Sequence, residues 1–251
     1  MKDPISQLSI VIPTLNEEHY LPRVLDHIAK QQWSGKIQVI IADGESKDAT
    51  VSVAKTFKDR IPDLTVVTSH DRTIGGARNI GASVAKYDHI LFIDCDIFLP
   101  PTFLAEFLPK VRTDRSMLVF VLHLPSKFSI VDYLWTFAVF AFYSIYQLFN
   151  PFCSGTFLFV SKDIFVKVGG FKEGLRMAED IDLSNRVIKA GATFKFFYRP
   201  YVYASTRRMH EVGWSKMLFF WMKGYFDSLR SKEGVNKAAK EYVFGDHKPG
   251  H

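Results

Sequence analysis

The 251-residue chain is poor in cysteine: Cys95 and Cys153 are its only two. Two thiols cannot frame the disulfide scaffold of a small secreted protein. Its amino terminus shows no basic region followed by an apolar stretch and a cleavage site, so the cytoplasm is the expected compartment. It has no internal repeat and no low-complexity segment, which excludes a solenoid or a largely disordered chain. No strong excess of one charge is present, with 32 Lys and Arg against 26 Asp and Glu for a net +6. The basic residues are scattered and no recognition motif organises them, so nucleic acid is not an expected partner, whereas smaller anions and lipid headgroups are. An uninterrupted apolar run of membrane-spanning length is also missing. Residues 129–149 approach the roughly 20 that a span needs, yet they include Asp132 and Gln147.

Phenylalanine, by contrast, is abundant, with 23 residues, many of them between Phe120 and Phe226. A hydrophobic fraction of 47% supplies a sizeable core, and the expectation is one domain over 1–205 with halves of about 1–100 and 101–205. A basic, aromatic helical appendage and polar tail over 206–251 would follow it. Short apolar runs at 8–13, 38–43, 64–68 and 89–94 predict strands, and the periodic segments 17–32, 48–58 and 75–86 predict helices between them. That alternation defines the fold class as α/β, an open, twisted, mainly parallel sheet with helices on both faces. The second half predicts strands at 117–122, 156–160 and 193–197, a helix at 181–189 closed by Gly191, and an amphipathic helix at 214–230.

In open sheets, ligands bind beyond the carboxyl ends of the strands. Three polar clusters lie there: Pro13-Thr14-Leu15-Asn16-Glu17, Asp43-Gly44-Glu45-Ser46 and Asp94-Cys95-Asp96. Asp94 and Asp96 leave a buried strand end together, and a hard divalent cation, Mg²⁺ or Mn²⁺, would satisfy both while keeping positions open for phosphate oxygens. An isolated Asp-x-Asp is more often a solvated turn. A second acidic cluster, Glu179-Asp180-Ile181-Asp182, opens a helix, where acids are stabilised by the dipole even without a chemical task. Before it stand Ser154-Gly155-Thr156 and Val168-Gly169-Gly170-Phe171, whose glycines permit close approach of backbone to ligand, and a carboxylate there could act as a base.

The order Ile12-Pro13-Thr14-Leu15-Asn16-Glu17, Ala42-Asp43-Gly44-Glu45-Ser46-Lys47-Asp48-Ala49-Thr50, Gly75-Gly76-Ala77-Arg78-Asn79-Ile80-Gly81, Asp94-Cys95-Asp96, Val168-Gly169-Gly170-Phe171 and Glu179-Asp180 resembles the family 2 glycosyltransferases with the GT-A fold, from about Leu8 to about Ala190. The resemblance implies an inverting transfer of one sugar from a nucleoside-diphosphate donor to an acceptor hydroxyl. It implies that Asp43 binds the nucleobase edge, that Pro13, Thr14, Asn16, Glu17 and Ser46 line the nucleoside site, and that Gly76, Arg78, Asp94 and Cys95 lie beside the donor. Asp96 with Asp94 would address the metal and ribose, Asp180 would be the catalytic base with Glu179 beside it, and Gly155 and Thr156 would face the acceptor. Arg208 is expected to hold the diphosphate and His210 to complete the metal shell, the plain alternatives being a solvated basic loop and a packed histidine. The chain lacks the Gln-x-x-Arg-Trp sequence of processive synthases, so a single addition is expected.

A spanning helix at 129–149 would put Asp96 and Asp180 on opposite sides of a bilayer, although one substrate needs both, and a span is therefore rejected. A core helix or an interfacial helix remains. The aromatic and basic residues at 214–230 favour contact with the inner face of the cytoplasmic membrane, and a lipid-linked acceptor is the corollary. Rival readings are a haloacid-dehalogenase-type phosphatase using Asp94, a family that needs a later lysine and acidic pair and usually opens its domain with the motif, whereas three strands precede it here, and a non-catalytic nucleotide-binding module. A UDP-sugar is preferred over GDP-mannose as donor, and neither the acceptor nor the oligomeric state is readable.

Overall fold

The computed structural model describes residues 5–71, 73–111, 116–147, 151–175, 178–217 and 219. Strands β1 (Gln7–Thr14), β2 (Lys36–Asp43), β3 (Leu64–Thr68) and β4 (His89–Ile93) lie parallel in the order β3-β2-β1-β4. They are joined by helices α1 (Leu21–Ala29), α2 (Thr50–Lys55) and α3 (Ile74–Ser83). β1 is buried at every position after Gln7, because helices cover both faces of the sheet, and so its sequence reads as a nearly continuous apolar run.

Beyond β4 the sheet becomes mixed. It gains β5 (Ile97–Phe98), β6 (Met117–Pro125), β7 (Phe157–Ser161) and β8 (Thr193–Ala204), giving eight strands in the order β3-β2-β1-β4-β7-β6-β8-β5. β7 runs antiparallel to both β4 and β6, β8 runs parallel to β6, and β5 closes the edge antiparallel to β8. The expected parallel character therefore belongs mainly to the first half. Pairing between β6 and β8 slips between Val121 and His123, and such an irregularity re-aims side chains.

Two cores flank the sheet. One joins Leu8, Ile10 and Ile12 to Leu21, Val24, Leu25 and Ile28 of α1 and to the rings of Phe103 and Phe107 on α4 (Phe103–Phe107). The other joins Val11, Ile40 and Phe92 to Ala77 of α3, to Phe165 on α6 (Lys162–Lys167) and to Leu183 and Val187 on α7 (Glu179–Lys189). Each fully buried Leu, Ile or Phe contributes about 1.5–3 kcal/mol.

Helix α5 (Ile130–Tyr146) differs from the rest. It starts at a Ser129 cap whose hydroxyl accepts the Asp132 N–H at 3.3 Å, and it is apolar all round, yet Asp132 is its only fully buried residue. Ile130, Leu134, Phe137 and Ile145 are exposed. No described helix is long and apolar enough to cross a membrane. After it, α8 (Arg207–Val212) leads to Trp214, which stacks on Trp135 of α5 with centroids 5.8 Å apart. The described part of the carboxyl-terminal segment is thus packed on α5, while the rest of the expected helix at 214–230 and the polar tail lie outside the described residues.

Candidate active site

The ends of β1 and β2 are stitched together by side chains. Asp43, 3% exposed, accepts from Thr14 Oγ1 at 3.0 Å, from Ser46 N at 2.9 Å and from Ser46 Oγ at 2.6 Å. Asn16, at a φ of 56°, donates its N–H to Ser46 Oγ at 2.9 Å and accepts from Lys47 N at 2.9 Å. The Asp43 carboxylate therefore fixes the rim formed by the loops after β1 and β2. Next along this rim, Glu17 is buried, lies 3.5 Å from Arg207 and gives its N–H to Thr50 Oγ1 at 2.7 Å. Burial pushes its carboxyl up to about 7, Arg207 pulls it back, and Asp96 and Asp94 add to the rise. Arg207 itself lies 3.5 Å from the centroid of the Tyr20 ring.

The strand alternation separates the three residues after β4. Asp94 and Asp96 line a cavity of about 690 Å³, whereas Cys95 is buried in the core with its Sγ 3.7 Å from Pro13 O. Burial drives its thiol well above the ordinary range. The Cys95 side chain, expected beside the donor, packs behind the two carboxylates. Gly76 lies in the first turn of α3. Its N–H donates to Thr73 Oγ1 at 3.0 Å at the start of α3, and a Cβ there would lie 2.3 Å from Asp71, so its smallness serves the helix start.

Arg78 ties the remaining parts together. It is 1% exposed; Nη1 donates to Glu179 Oε1 at 2.8 Å, and Nη2 donates to Asp94 Oδ1 at 2.8 Å and to Gly155 O at 2.9 Å. A Cβ on Gly155 would lie 2.7 Å from both of these nitrogens, so only glycine leaves room for the guanidinium. The Gly155 N–H donates to Asp180 Oδ2 at 2.8 Å, and the Ile181 N–H donates to Asp180 Oδ1 at 2.8 Å. Burial raises the carboxyls of both Glu179 and Asp180, and Arg78 offsets part of that rise in each. Asp94, Glu179 and Asp180 thus surround one buried cation, which also anchors the loop at 154–156 through Gly155 O.

Asp96 is placed differently. Its Oδ1 is buried and has no hydrogen-bond partner among the described residues. Burial and the Asp94 charge push its carboxyl up, and Arg208 and Arg207 lower it. A buried carboxylate oxygen without a donor is costly. Hard divalent cations take such oxygens, often one or two carboxylates with substrate phosphates completing the shell, so this donor set fits Mn²⁺ or Mg²⁺. His210 does not join it. Its Nε2 lies 3.0 Å from Asp132 Oδ2, an oxygen that also accepts from Thr206 Oγ1 at 2.8 Å. Among the described residues no three His, Cys, Asp or Glu gather as a ready metal cage. The expected third ligand is held instead by the buried acid at the start of α5.

Among the cavity residues that the sequence did not single out are His123 and Tyr143. His123 Nδ1 lies 2.8 Å from Val121 O and Nε2 lies 3.2 Å from Thr156 Oγ1. The carbonyl must take the Nδ1 proton, which leaves Nε2 to accept from Thr156, and burial pushes the pKa down to about 4, so the ring is neutral. Thr156 Oγ1 in turn lies 3.0 Å from Ser154 Oγ. Tyr143 is pushed up by burial and by the Asp180 charge. His123 is turned inward at the β6 irregularity, for which the sequence carries no signal.

Such an open α/β sheet, with paired carboxylates beyond its fourth strand and an acidic helix start facing them, has the architecture of the GT-A-type glycosyltransferases. The chain belongs to glycosyl transferase family 2, whose model matches residues 9–171. This family of sugar-transferring enzymes displaces the phosphatase alternative. A glycosyltransferase of uncharacterised specificity from Haemophilus influenzae is 27% identical over 189 residues, covering 72% of this chain and 62% of that protein. A PGL/p-HBAD biosynthesis glycosyltransferase from Mycobacterium bovis is 34% identical over 89 residues, 35% of this chain and 34% of its own. The chain thus spans less than two thirds of these relatives. Among solved structures, a Pyrobaculum calidifontis mannosyltransferase in complex with GDP-Man and Mn²⁺ matches 94% of this chain and 69% of its own, with a TM-score of 0.71 and 17% identity. S. aureus TarS in complex with UDP-GlcNAc matches 79% of this chain and 58% of its own, with a TM-score of 0.59 and 18% identity.

Proposed function

We propose that the protein is an inverting glycosyltransferase that moves one sugar from a nucleoside-diphosphate donor, a UDP-sugar in preference to GDP-mannose, to an acceptor hydroxyl, and that it uses Mn²⁺ or Mg²⁺. The observation that carries this reading is the buried, donorless Asp96 Oδ1 in the same cavity as Asp94 and Asp180. Asp96 and Asp94 hold the cation, which when bound supplies positive charge to the departing diphosphate. Arg207 and Arg208 add to it from the side where they already lower the Asp96 carboxyl. On the nucleoside side, Thr14, Asn16, Asp43 and Ser46 form the shelf for the base, with the Pro13 and Glu17 backbone beside it.

Asp180 is the base. Two backbone N–H groups aim its carboxylate, and burial raises its affinity for a proton. It takes the acceptor proton as the acceptor oxygen bonds to the anomeric carbon, and the opposite carbon–oxygen bond breaks with its electron pair leaving on the nucleoside diphosphate. Glu179 does not touch the acceptor in this scheme; it fixes Arg78, which fixes Gly155. The site works at the inner face of the cytoplasmic membrane, where the exposed apolar side of α5 rests on the lipid and an acceptor linked to lipid is delivered.

A thermal-shift panel of UDP, GDP, CDP, dTDP and ADP, with and without Mn²⁺, tests the reading on wild type and on Asp96→Ala. One nucleotide at about 100 times its Kd stabilises by roughly 2.7 kcal/mol, only with the metal and only in wild type. No response from any nucleotide would sink the assignment.

A further inference from the structure

The cavity has two unlike walls. One carries Asp94, Asp96 and Asp180 with Arg78. The other is aromatic: Phe120 of β6, Phe196 and Tyr198 of β8 and Phe140 of α5 meet with ring centroids 5.0–5.7 Å apart. These strand residues share the sheet face that α6 and α7 cover farther back, at Leu118 and Phe194. Among the described residues, α5 stands over the front of that face, with Trp214 beside it, and a gap remains beneath the helix. Close-packed interiors do not normally keep such a space, since every ring lining it forfeits contacts. The cavity as a whole, carboxylate wall included, has a volume of about 690 Å³, that of a small-molecule site.

The wall is also uncharged and it has a way out. His123 stacks on Phe120 at 4.9 Å as a neutral ring, its Nε2 satisfied by Thr156. Tyr198 at 60% exposure and Phe142 at 43% line the cavity and reach the surface as well. From the carboxylates to the outside, a continuous aromatic track therefore runs beneath α5.

We infer that this track seats the apolar body of the acceptor: an aliphatic or isoprenoid chain whose hydroxyl-bearing head reaches Asp180 while the chain passes Phe140 and Phe196 and leaves at Phe142 and Tyr198. The head's role rests on the transferase reading; the chain site rests on the cavity alone. Membrane contact by α5 is a matter of its outer face, whereas this site is internal and takes a single, monomeric amphiphile.

The test is calorimetric binding of methyl, hexyl, octyl and decyl β-glucosides to the full chain, below their micelle concentrations and without donor. Affinity should rise roughly fourfold per methylene until the track is filled. The heat-capacity change should be negative and grow with chain length. Val139→Trp places an indole in the cavity and should abolish the chain-length dependence, while Phe137→Glu, on the outer face of α5, should leave monomer affinity unchanged. Retained UDP stabilisation certifies that Val139→Trp is folded; should it fail that check, Phe196→Asn, which replaces an apolar ring of the wall by a smaller polar amide, must weaken the chain-length dependence. Affinity independent of chain length would overturn the inference, and so would loss in Phe137→Glu with retention in Val139→Trp, which would mean adsorption to the outer face. Phenyl glucoside binding as tightly as decyl glucoside would also overturn it, in favour of an aromatic acceptor. If chains bind and no nucleotide does, the transferase reading fails and the chain site stands; if UDP binds with Mn²⁺ and chains do not, the reverse holds.

Discussion

Arg78 reaches Asp94, Glu179 and Gly155 at once because a guanidinium is a planar fork, and an ammonium in its place could not keep all three. Replacing it by Met strands two carboxylates in a buried setting, and Arg78→Met should lose about 3–5 kcal/mol in urea denaturation, with Arg78→Lys recovering only part. Asp180→Asn should keep metal-dependent nucleotide stabilisation and lower kcat by about 10²–10⁴, since the base acts only on the acceptor. A loss of nucleotide binding in that variant would assign Asp180 to the donor instead. Glu17 gives a pH signature. Its carboxyl holds a proton to about 7 in the fold, against 4.5 ordinarily. Between those values the native state binds more protons than the unfolded chain, so this contribution is fully present below the lower value and is lost as pH rises through the higher one. Glu17→Gln should remove it, changing the stability difference from wild type by on the order of 3 kcal/mol between about pH 4 and about pH 8. Parallel stability profiles would contradict the assignment. Asp94, Asp96, Glu179 and Asp180 were legible in the sequence because paired acids beside apolar runs need a reason. The company they keep was not, since Arg78 bridges partners 16 and 101 positions away. Nor does motif membership tell which way a side chain points, and the burial of the Cys95 thiol behind Asp94 and Asp96 was therefore not legible.

Among the elements, β1 to β4 were readable within one or two residues, because their interiors are mostly apolar and the few buried polar side chains, such as Ser9 and Gln38, bond each other across strands. The predicted helix at 17–32 contracts to Leu21–Ala29, where Pro22 sets its start and residues 16–18 are taken up by bonds to the second loop. β5, α4, α6 and α8 have only two to six residues each, too few for a period to show. β8 was expected to stop at 197 and runs to Ala204, passing Pro200 where its pairing with β6 is interrupted and no ladder bond is lost. The start of α5 carries the sharpest prediction at this scale. Asp132→Ala deprives both Thr206 and His210 of their acceptor. Hydrogen exchange in α8 should then accelerate, with an opening cost lowered by about 1–3 kcal/mol, while β1 to β4 stay protected. Unchanged exchange in α8 would show that Asp132 does not hold it.

For the molecule as a whole, a net charge of +6 and the outer face of α5, with Leu134 at 66% and Phe137 at 68% exposure, point toward an anionic bilayer. The protein should sediment with anionic vesicles at low salt and less so at high salt, and Leu134→Glu with Phe137→Glu should weaken it. Failure of the wild type to sediment would remove the membrane from the reading. The contact between Asp132 and the 206–210 segment has a further consequence, for the order in which two substrates are taken up. Arg207 and Arg208 stand on the same short segment as Thr206 and His210, so any movement that brings these arginines onto a diphosphate also pulls on the helix that roofs the other compartment. One carboxylate thus ties the two walls of the cavity together. Where filling one side changes the affinity of the other, linkage requires the same factor in return, so measuring nucleotide affinity with and without an acceptor analogue reads the coupling from either side.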